Sequence, residues 1–533
     1  MGGSHIPDEE ETAPVNGADS LLSALEHNGV TTCFANPGTS EMHFVAALDG
    51  ATRIRGVLGL FEGAVTGAAD GYARMADEPA ATLLHLGPGL ANGLSNLHNA
   101  RRAHSPVVNV IGDHASYHRA LDAPLTSDVE GTARPFSHWV RTSSGERALS
   151  ADVADAVTVA RRGEIASLIL PADAAWNELP DPGTPPTALP APLPQVDALA
   201  AEAAARRLHE AGPRGAILLG GRTPRAEALE AAARIAAATG AEVLTDTFAP
   251  RVSRGAGRHA ARKVPYAVGP AQELFARFDT LVLVGARPPV AFFAYPTKRS
   301  RLTQPDTRLL ELCGETTRAD LPLQAVWEAL PESARTAAEA PAATRLSLPE
   351  MPSGSITPEK LGAFLGRAIP ENAVVADESI TTGWAFDAAT RGARPHEWFN
   401  PTGGSIGWAL PVATGAALAC PERKVIALES DGSGMYMPQT LWTQAREGVD
   451  VVSLVFANRR YQILRNEMAN VGVEDVGERA GQLLDLDRPV VDWVSVSRGF
   501  GVPAWRAETM EELSAAFDRA LAAEGPALIE VVL

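Results

Sequence analysis

An aspartate and an asparagine set 27 positions apart, each closing an apolar, β-branched run, form the sharpest chemical signal in the sequence. The run "VIALES" leads into Asp431-Gly432-Ser433, and "VVSLVFA" leads into Asn458. In a parallel strand–helix–strand unit both strand ends reach the same rim of the sheet. A carboxylate and an amide placed there can share one hard cation through oxygen, with diphosphate oxygens and water completing an octahedron. Gly432 lets the backbone approach a phosphate closely, and Ser433 adds a hydroxyl. Asp-Gly-Ser alone is equally a turn sequence. The asparagine at the matching strand end favours the cation.

A second signal is a charge in the wrong company. In "LGLFEGAVTGAADGYAR" (58–74), Glu62 interrupts residues that are otherwise small or apolar. A carboxylate buried without a partner has its pKa raised and becomes a candidate for proton chemistry. The alternative is an acid at a helix N-terminus in solvent, since 64–74 reads as helix.

The elements that must position these groups alternate along the whole chain. Short apolar runs such as "ATLLHL", "VVNVIG", "GAILLGG", "TLVLVGA" and "PALIEVVL" read as strands, separated by Ala-rich helical patterns. Runs apolar on both faces indicate parallel sheets covered by helices. Two Pro/Ala-rich stretches, 179–195 and 337–355, read as linkers. They leave an α/β protein of three domains, 17–178, 196–336 and 356–533, after a polar, acidic tail over 1–16 that reads as disordered. With 533 residues, 45% hydrophobic and 21% charged, the chain has an ordinary globular composition. Its net charge of −18 argues against nucleic acid or an anionic membrane as partner. No apolar segment reaches membrane-spanning length, and the N-terminus lacks the pattern of a signal peptide. Cys33, Cys313 and Cys420 have no metal-ligand spacing and suggest a reducing compartment, so the expected location is cytoplasmic.

The Asp-Gly with its later Asn resembles the signature of thiamine diphosphate enzymes, the family of benzoylformate decarboxylase, pyruvate decarboxylase and acetolactate synthase. The resemblance continues in order through "NPGTSE" (36–41), "FEGAVTGAADGYAR" and "GGSIGWALP" (403–411). It implies a PYR domain first, a Rossmann-like middle domain and a PP domain last, the first and third having the thiamine diphosphate-binding fold. It further implies Mg²⁺ held by Asp431, Asn458 and the main-chain oxygen of Arg460, with Gly432 and Ser433 beside the diphosphate. Thr381 is implied near the same diphosphate. Glu62 is implied at the aminopyrimidine nitrogen, favouring the imino form that generates the C2 ylide, with burial raising its pKa. Ile406 is implied as the wedge that bends the cofactor, and Gly404 as the carbonyl receiving its exocyclic amine. Because family members build this site from two subunits, at least a homodimer is implied, and a homotetramer is common. The chain departs from the signature at Ser430, where Gly is usual, and at Ala457, where Asn is common.

For the reaction, the resemblance points to a 2-oxo acid decarboxylase or decarboxylating carboligase, with a small 2-oxo acid as substrate. Thr39, His85 and His118 match or approach polar active-site positions of the decarboxylases. Phe292 and Leu464 stand where relatives carry a second histidine and an acid. Their absence would slow protonation and favour carbon–carbon bond formation. An acetolactate synthase-like carboligase and a catalytically silent cofactor-binding subunit are the alternatives. FAD in the middle domain, which some relatives hold, is the lesser cofactor expectation. A different class is outlined by Gly87-x-Gly89-x-x-x-Gly93 with Asp113 beyond it, the spacing of a dinucleotide fingerprint.

Overall fold

In the computed structural model, residues 15–180, 182–193, 195–473 and 476–533 are described. They form three helix-covered sheets, as the alternation of apolar runs requires. The first has six strands in the order Arg55–Leu58, Thr32–Asn36, Ala80–Leu84, Val107–Asp113, Ile165–Pro171, Trp139–Thr142, all parallel. The second has five, Arg262–Lys263, Glu242–Thr245, Gly215–Leu219, Thr280–Val284 and Arg308–Cys313, also parallel. The third runs Ala504–Ala507, Ala527–Val532, Val451–Ala457, Val425–Ser430, Ala373–Asp377, His396–Phe399 and finally Arg251–Arg254. That last strand is antiparallel and comes from the middle of the chain, pairing Arg251 with Phe399 and Arg254 with His396. Parallel strands need crossovers, and helices supply them here, so the central strands of each sheet are buried on both faces.

Most of the reading expected to be tail, residues 1–14, lies outside the described residues. Asn16 belongs to the fold: its side chain accepts from the Asp19 amide at 3.0 Å and caps the helix Gly17–His27. The described part of the first Pro/Ala-rich stretch has no regular structure, yet Ala188 is buried, its amide donating to Asn28 Oδ1 at 2.6 Å. The second stretch is likewise irregular and is strapped down by backbone bonds between Thr344 and residues 257–258.

One helix pair sets the positions of both chemical signals. Glu62–Ala76 packs against Ala409–Ala419 through glycines that no other residue could replace. A Cβ on Gly71 would lie 2.0 Å from the Val412 carbonyl oxygen, and one on Gly415 would lie 1.8 Å from that of Ala68. The two backbones touch, which explains the small residues spaced through "GAVTGAADG". Beneath the crossing, buried Asp70 and Arg74 pair at 2.7 Å, and Arg74 Nη1 donates to the Asn400 carbonyl at 2.8 Å. Trp408 Nε1 donates to Asp70 at 3.1 Å. The helix opening at Glu62 is thereby bolted to the loop 400–408.

Candidate active site

Strands Ala373–Asp377, Val425–Ser430 and Val451–Ala457 are parallel neighbours, so their C-terminal ends share one rim. Asp431 and Asn458 meet there. The Asp431 carboxylate, 6% exposed, accepts the Arg459 amide at 2.7 Å and the Gly432 amide at 3.0 Å. Arg459 takes φ +58°, and Asn458 Oδ1 accepts the Arg460 amide at 3.1 Å. Burial lifts the Asp431 carboxyl to about 6, against the pull of those amides. Among the described residues no group of three His, Cys, Asp or Glu side chains could hold a metal ion. One buried carboxylate with the Asn458 side-chain amide at the neighbouring strand end fits a hard divalent cation that brings further oxygens with it. A Cβ on Gly432 would lie 2.6 Å from the Tyr461 ring, so the turn requires glycine.

A pair of acids that stands out by no sequence pattern holds this rim together. Glu378 accepts the amides of Gly407 at 2.9 Å, Trp408 at 2.6 Å and Ala409 at 2.8 Å. Glu429 accepts the Ser430 amide at 3.0 Å and the Ser433 hydroxyl. The two carboxyls are both buried, and Glu429 Oε2 has no hydrogen-bond partner among the described residues. Desolvation pushes Glu378 up to about 7, and desolvation with the Glu378 charge pushes Glu429 well above the usual range. Glu378 thus anchors the loop that follows Ile406, and Glu429 anchors the turn carrying Asp431. Ser433 therefore spends its hydroxyl on Glu429. Thr381 is half-buried just before the short turn Thr382–Ala385, and Ser379 donates to Asp377 Oδ1 at 2.5 Å.

Gly404 takes φ +73°, and a Cβ there would lie 2.6 Å from Phe292 Cζ. Phe292 in turn packs with Phe248, Tyr266 and Phe293. Ile406 is half-buried, and its neighbour Ser405 is held from both sides by Asn99, whose Nδ2 donates to the Ser405 carbonyl at 2.8 Å.

In the first domain Glu62 opens its helix and is 7% exposed, with Asn92 Nδ2 donating to Oε2 at 3.0 Å. Where a Cβ on Gly89 would stand, Glu62 Oε1 lies 3.1 Å away and His85 Cβ 3.2 Å away. Glycine at 89 thus lets the acid and the histidine approach the same stretch of helix backbone closely. His85 Nδ1 lies 2.8 Å from Oε2 of Glu41, which is 1% exposed. Glu41 also accepts the Gly38 amide at 2.8 Å and the Ser40 hydroxyl at 2.6 Å. Thr39, His85 and His118 line one pocket of about 300 Å³, together with His114 and Tyr117. The sequence reading missed Glu41, Asn92, His114, Glu378 and Glu429. Glu41 lies inside the quoted "NPGTSE", but its partner His85 is 44 positions away.

The dinucleotide outline is corrected here. Gly87, Gly89 and Gly93 lie on the helix Leu86–Ala103, and a Cβ on Gly93 would lie 2.9 Å from Cγ2 of Thr66 on the neighbouring helix. Asp113 is buried against its own chain, pairing with Arg119 at 3.3 Å and accepting the His114 amide at 2.8 Å. These glycines serve close packing against the neighbouring helix and Glu62.

A three-sheet α/β protein with strand-end rims carrying a cation-type donor set and a separate buried glutamate is the class of molecule these observations define. The family model for the N-terminal domain of thiamine pyrophosphate enzymes matches residues 15–132, and that for their C-terminal domain matches 380–531. A Mycobacterium tuberculosis protein, whose name of acetolactate synthase large subunit IlvX is itself provisional, is 46% identical, covering 97% of this chain and 99% of its own. Benzoylformate decarboxylase of Pseudomonas aeruginosa is 32% identical, covering 95% and 97%. The chain belongs to the thiamine pyrophosphate enzymes. In fold it is similar to the thiamine diphosphate-dependent 4-hydroxybenzoylformate decarboxylase of Rhodococcus jostii RHA1, with TM-score 0.82 at 24% identity over 97% of this chain and 98% of that one. None of these matches indicates FAD. No helix among the described residues is long and apolar enough to cross a membrane.

Proposed function

We propose that the protein is a 2-oxo acid decarboxylase or decarboxylating carboligase using thiamine diphosphate and Mg²⁺. Asp431, Asn458 and the Arg460 carbonyl would hold the cation, with Gly432 admitting the diphosphate. Glu62 would hold a proton at the aminopyrimidine nitrogen, oriented by Asn92. Gly404 and Ile406 would support the middle of the cofactor, and Thr381 would stand near its diphosphate. Bound there, the cofactor supplies an electron sink for the carbanion left when a 2-oxo acid loses CO₂. The observation that carries this reading is Glu62 itself, a carboxylate only 7% exposed at the start of its helix, with Asn92 Nδ2 donating to it.

His85 has a defined protonation pattern. Glu41 is surrounded by donors, so His85 Nδ1 is the donor in that contact and Nε2 is left to accept a proton or a substrate group. Thr39 and His118 supply further polar contacts to the substrate. Phe292 and Leu464, each 45% exposed, would make the opposite side apolar. Apolar side chains at those two positions support capture of a second carbonyl as a competing outcome. Both the decarboxylase and the synthase among the relatives are compatible with it.

A homodimer, with a tetramer as the larger possibility, belongs to the proposal. Leu60 beside Glu62 and Tyr436 near Asp431 are 44% and 53% exposed, apolar surface at the edge of each half-site. Free Cys33, Cys313 and Cys420 fit a reducing cytoplasm. The test is CO₂ release from a panel of 2-oxo acids, with ligated product measured in the presence of an added aldehyde. CO₂ release that falls at least about a hundredfold in Glu62→Gln is the expected result. A holoenzyme that releases none from any acid is a silent cofactor-binding subunit.

A further inference from the structure

Asn96 and Asn99 are completely buried, yet neither is among the residues the proposed reaction uses. Both stand on the face of the helix Leu86–Ala103 that also carries Asn92. Asn96 Nδ2 donates to the Gly63 carbonyl at 2.9 Å, and its Oδ1 accepts Asn99 Nδ2 at 2.9 Å. Asn99 Nδ2 also donates to the Ser405 carbonyl at 2.8 Å, and the Ser405 amide donates to Asn99 Oδ1 at 3.1 Å. A backbone amide only donates and a carbonyl only accepts, so Ser405 fixes which end of the Asn99 amide is oxygen. Glycine at 403 admits this contact, since a Cβ there would lie 2.6 Å from Asn99 Oδ1. A buried polar network satisfied throughout selects one arrangement.

That arrangement sets the direction of a neighbouring carbonyl. The Ser405 N–H and the Gly404 C=O belong to one planar trans peptide and point opposite ways. With the N–H held by Asn99, the Gly404 carbonyl is turned away from Asn99. Gly404 is exposed, and among the described residues no donor reaches its carbonyl, which leaves it for a ligand. We propose that Asn99, itself held by Asn96, is a positioning residue that aims the Gly404 carbonyl at the exocyclic amine of the cofactor. This rests on the thiamine diphosphate reading above and adds to it a residue 306 positions from Ser405 in the chain.

The experiment measures, by calorimetry with Mg²⁺ present, the Kd of thiamine diphosphate and of its analogue carrying oxygen in place of the exocyclic amine. The ratio of the analogue's Kd to that of thiamine diphosphate is expected to fall about three- to tenfold in Asn99→Ala, the loss of one aimed hydrogen bond. Asn99→Asp, which keeps an oxygen for the Ser405 amide, is expected to retain more of the ratio than Asn99→Ala. An asparagine that only supports the fold would weaken both ligands alike, so a ratio unmoved in folded Asn99→Ala overturns the proposal. The cofactor-free wild type gives a check that needs no variant: its Ser405 amide should exchange with deuterium at least about tenfold more slowly than in an unfolded chain. Free exchange there overturns the proposal, and this measurement decides where a variant does not fold. If the wild type binds no thiamine diphosphate, the cofactor reading falls and the proposal with it. If it binds and the ratio moves but no 2-oxo acid loses CO₂, only the reaction assignment falls.

Discussion

Glu41 shows how much of the site depends on contacts remote in sequence. It touches no substrate position, yet it fixes which nitrogen of His85 carries the proton. Replacing it by Gln keeps the shape and removes the charge. Glu41→Gln is expected to lower kcat by about ten- to a hundredfold with a smaller change in KM, measured by steady-state CO₂ release. Equal loss in both parameters, or none, would show that His85 needs no such partner. Glu62, Asp431 and Asn458 were legible in the sequence because each interrupts or ends an apolar run. Glu41, Glu378 and Glu429 were not. Glu378 binds amides about thirty positions away, and only the folded strand order brings it to Glu429. The hydroxyl of Ser433 donates to Glu429, a partner four positions back that no motif announces.

At the scale of elements, the crossing of Glu62–Ala76 with Ala409–Ala419 leaves no room for a methyl group. Gly71→Ala or Gly415→Ala is expected to destabilise the fold by about 1–3 kcal/mol or more, seen as a lower Tm. Gly269→Ala, on a helix where a Cβ meets nothing within 4 Å, is the matched control and should not lower it. Equal behaviour of the two would deny that backbone contact sets the crossing. The strand His396–Phe399 carries a pH signature. Burial, helped by Arg254, lowers the His396 imidazole from the usual 6.5 to about 4. Between those values the unfolded chain binds more protons than the folded one, so this contribution is full above about pH 6.5 and is lost as pH falls toward 4. The Tm difference between wild type and His396→Gln is expected to shrink over that window on acidification; a constant difference contradicts it. Strand runs were easily read where both faces are buried, as in "VVNVIG". Arg251–Arg254 was not, since its charged residues show neither an apolar run nor the sheet it joins. The glycine spacing was in plain view, but only the facing helix reveals its purpose.

For the whole molecule, the three-sheet architecture followed from the alternation of runs and the Pro/Ala-rich breaks, because buried parallel sheets write themselves as continuous apolar segments. How the sheets interlock did not, since the strap through Arg74, Asn400 and Trp408 joins residues more than three hundred positions apart. The proposed assembly is tested by Leu60→Asp with Tyr436→Asp: sedimentation should show monomer, and CO₂ release should be lost. An active monomer would mean that one chain builds a whole site. The central claim is that Glu62 and the rim at Asp431 and Asn458 hold opposite ends of one thiamine diphosphate. Its most direct test is hydrogen–deuterium exchange at C2 of the protein-bound cofactor in wild type, Glu62→Gln and Asp431→Ala. Fast exchange in wild type, at least about a hundredfold slower exchange in Glu62→Gln with binding retained, and loss of Mg²⁺-dependent binding in Asp431→Ala are the predicted results. Exchange in Glu62→Gln as fast as in wild type would contradict the account.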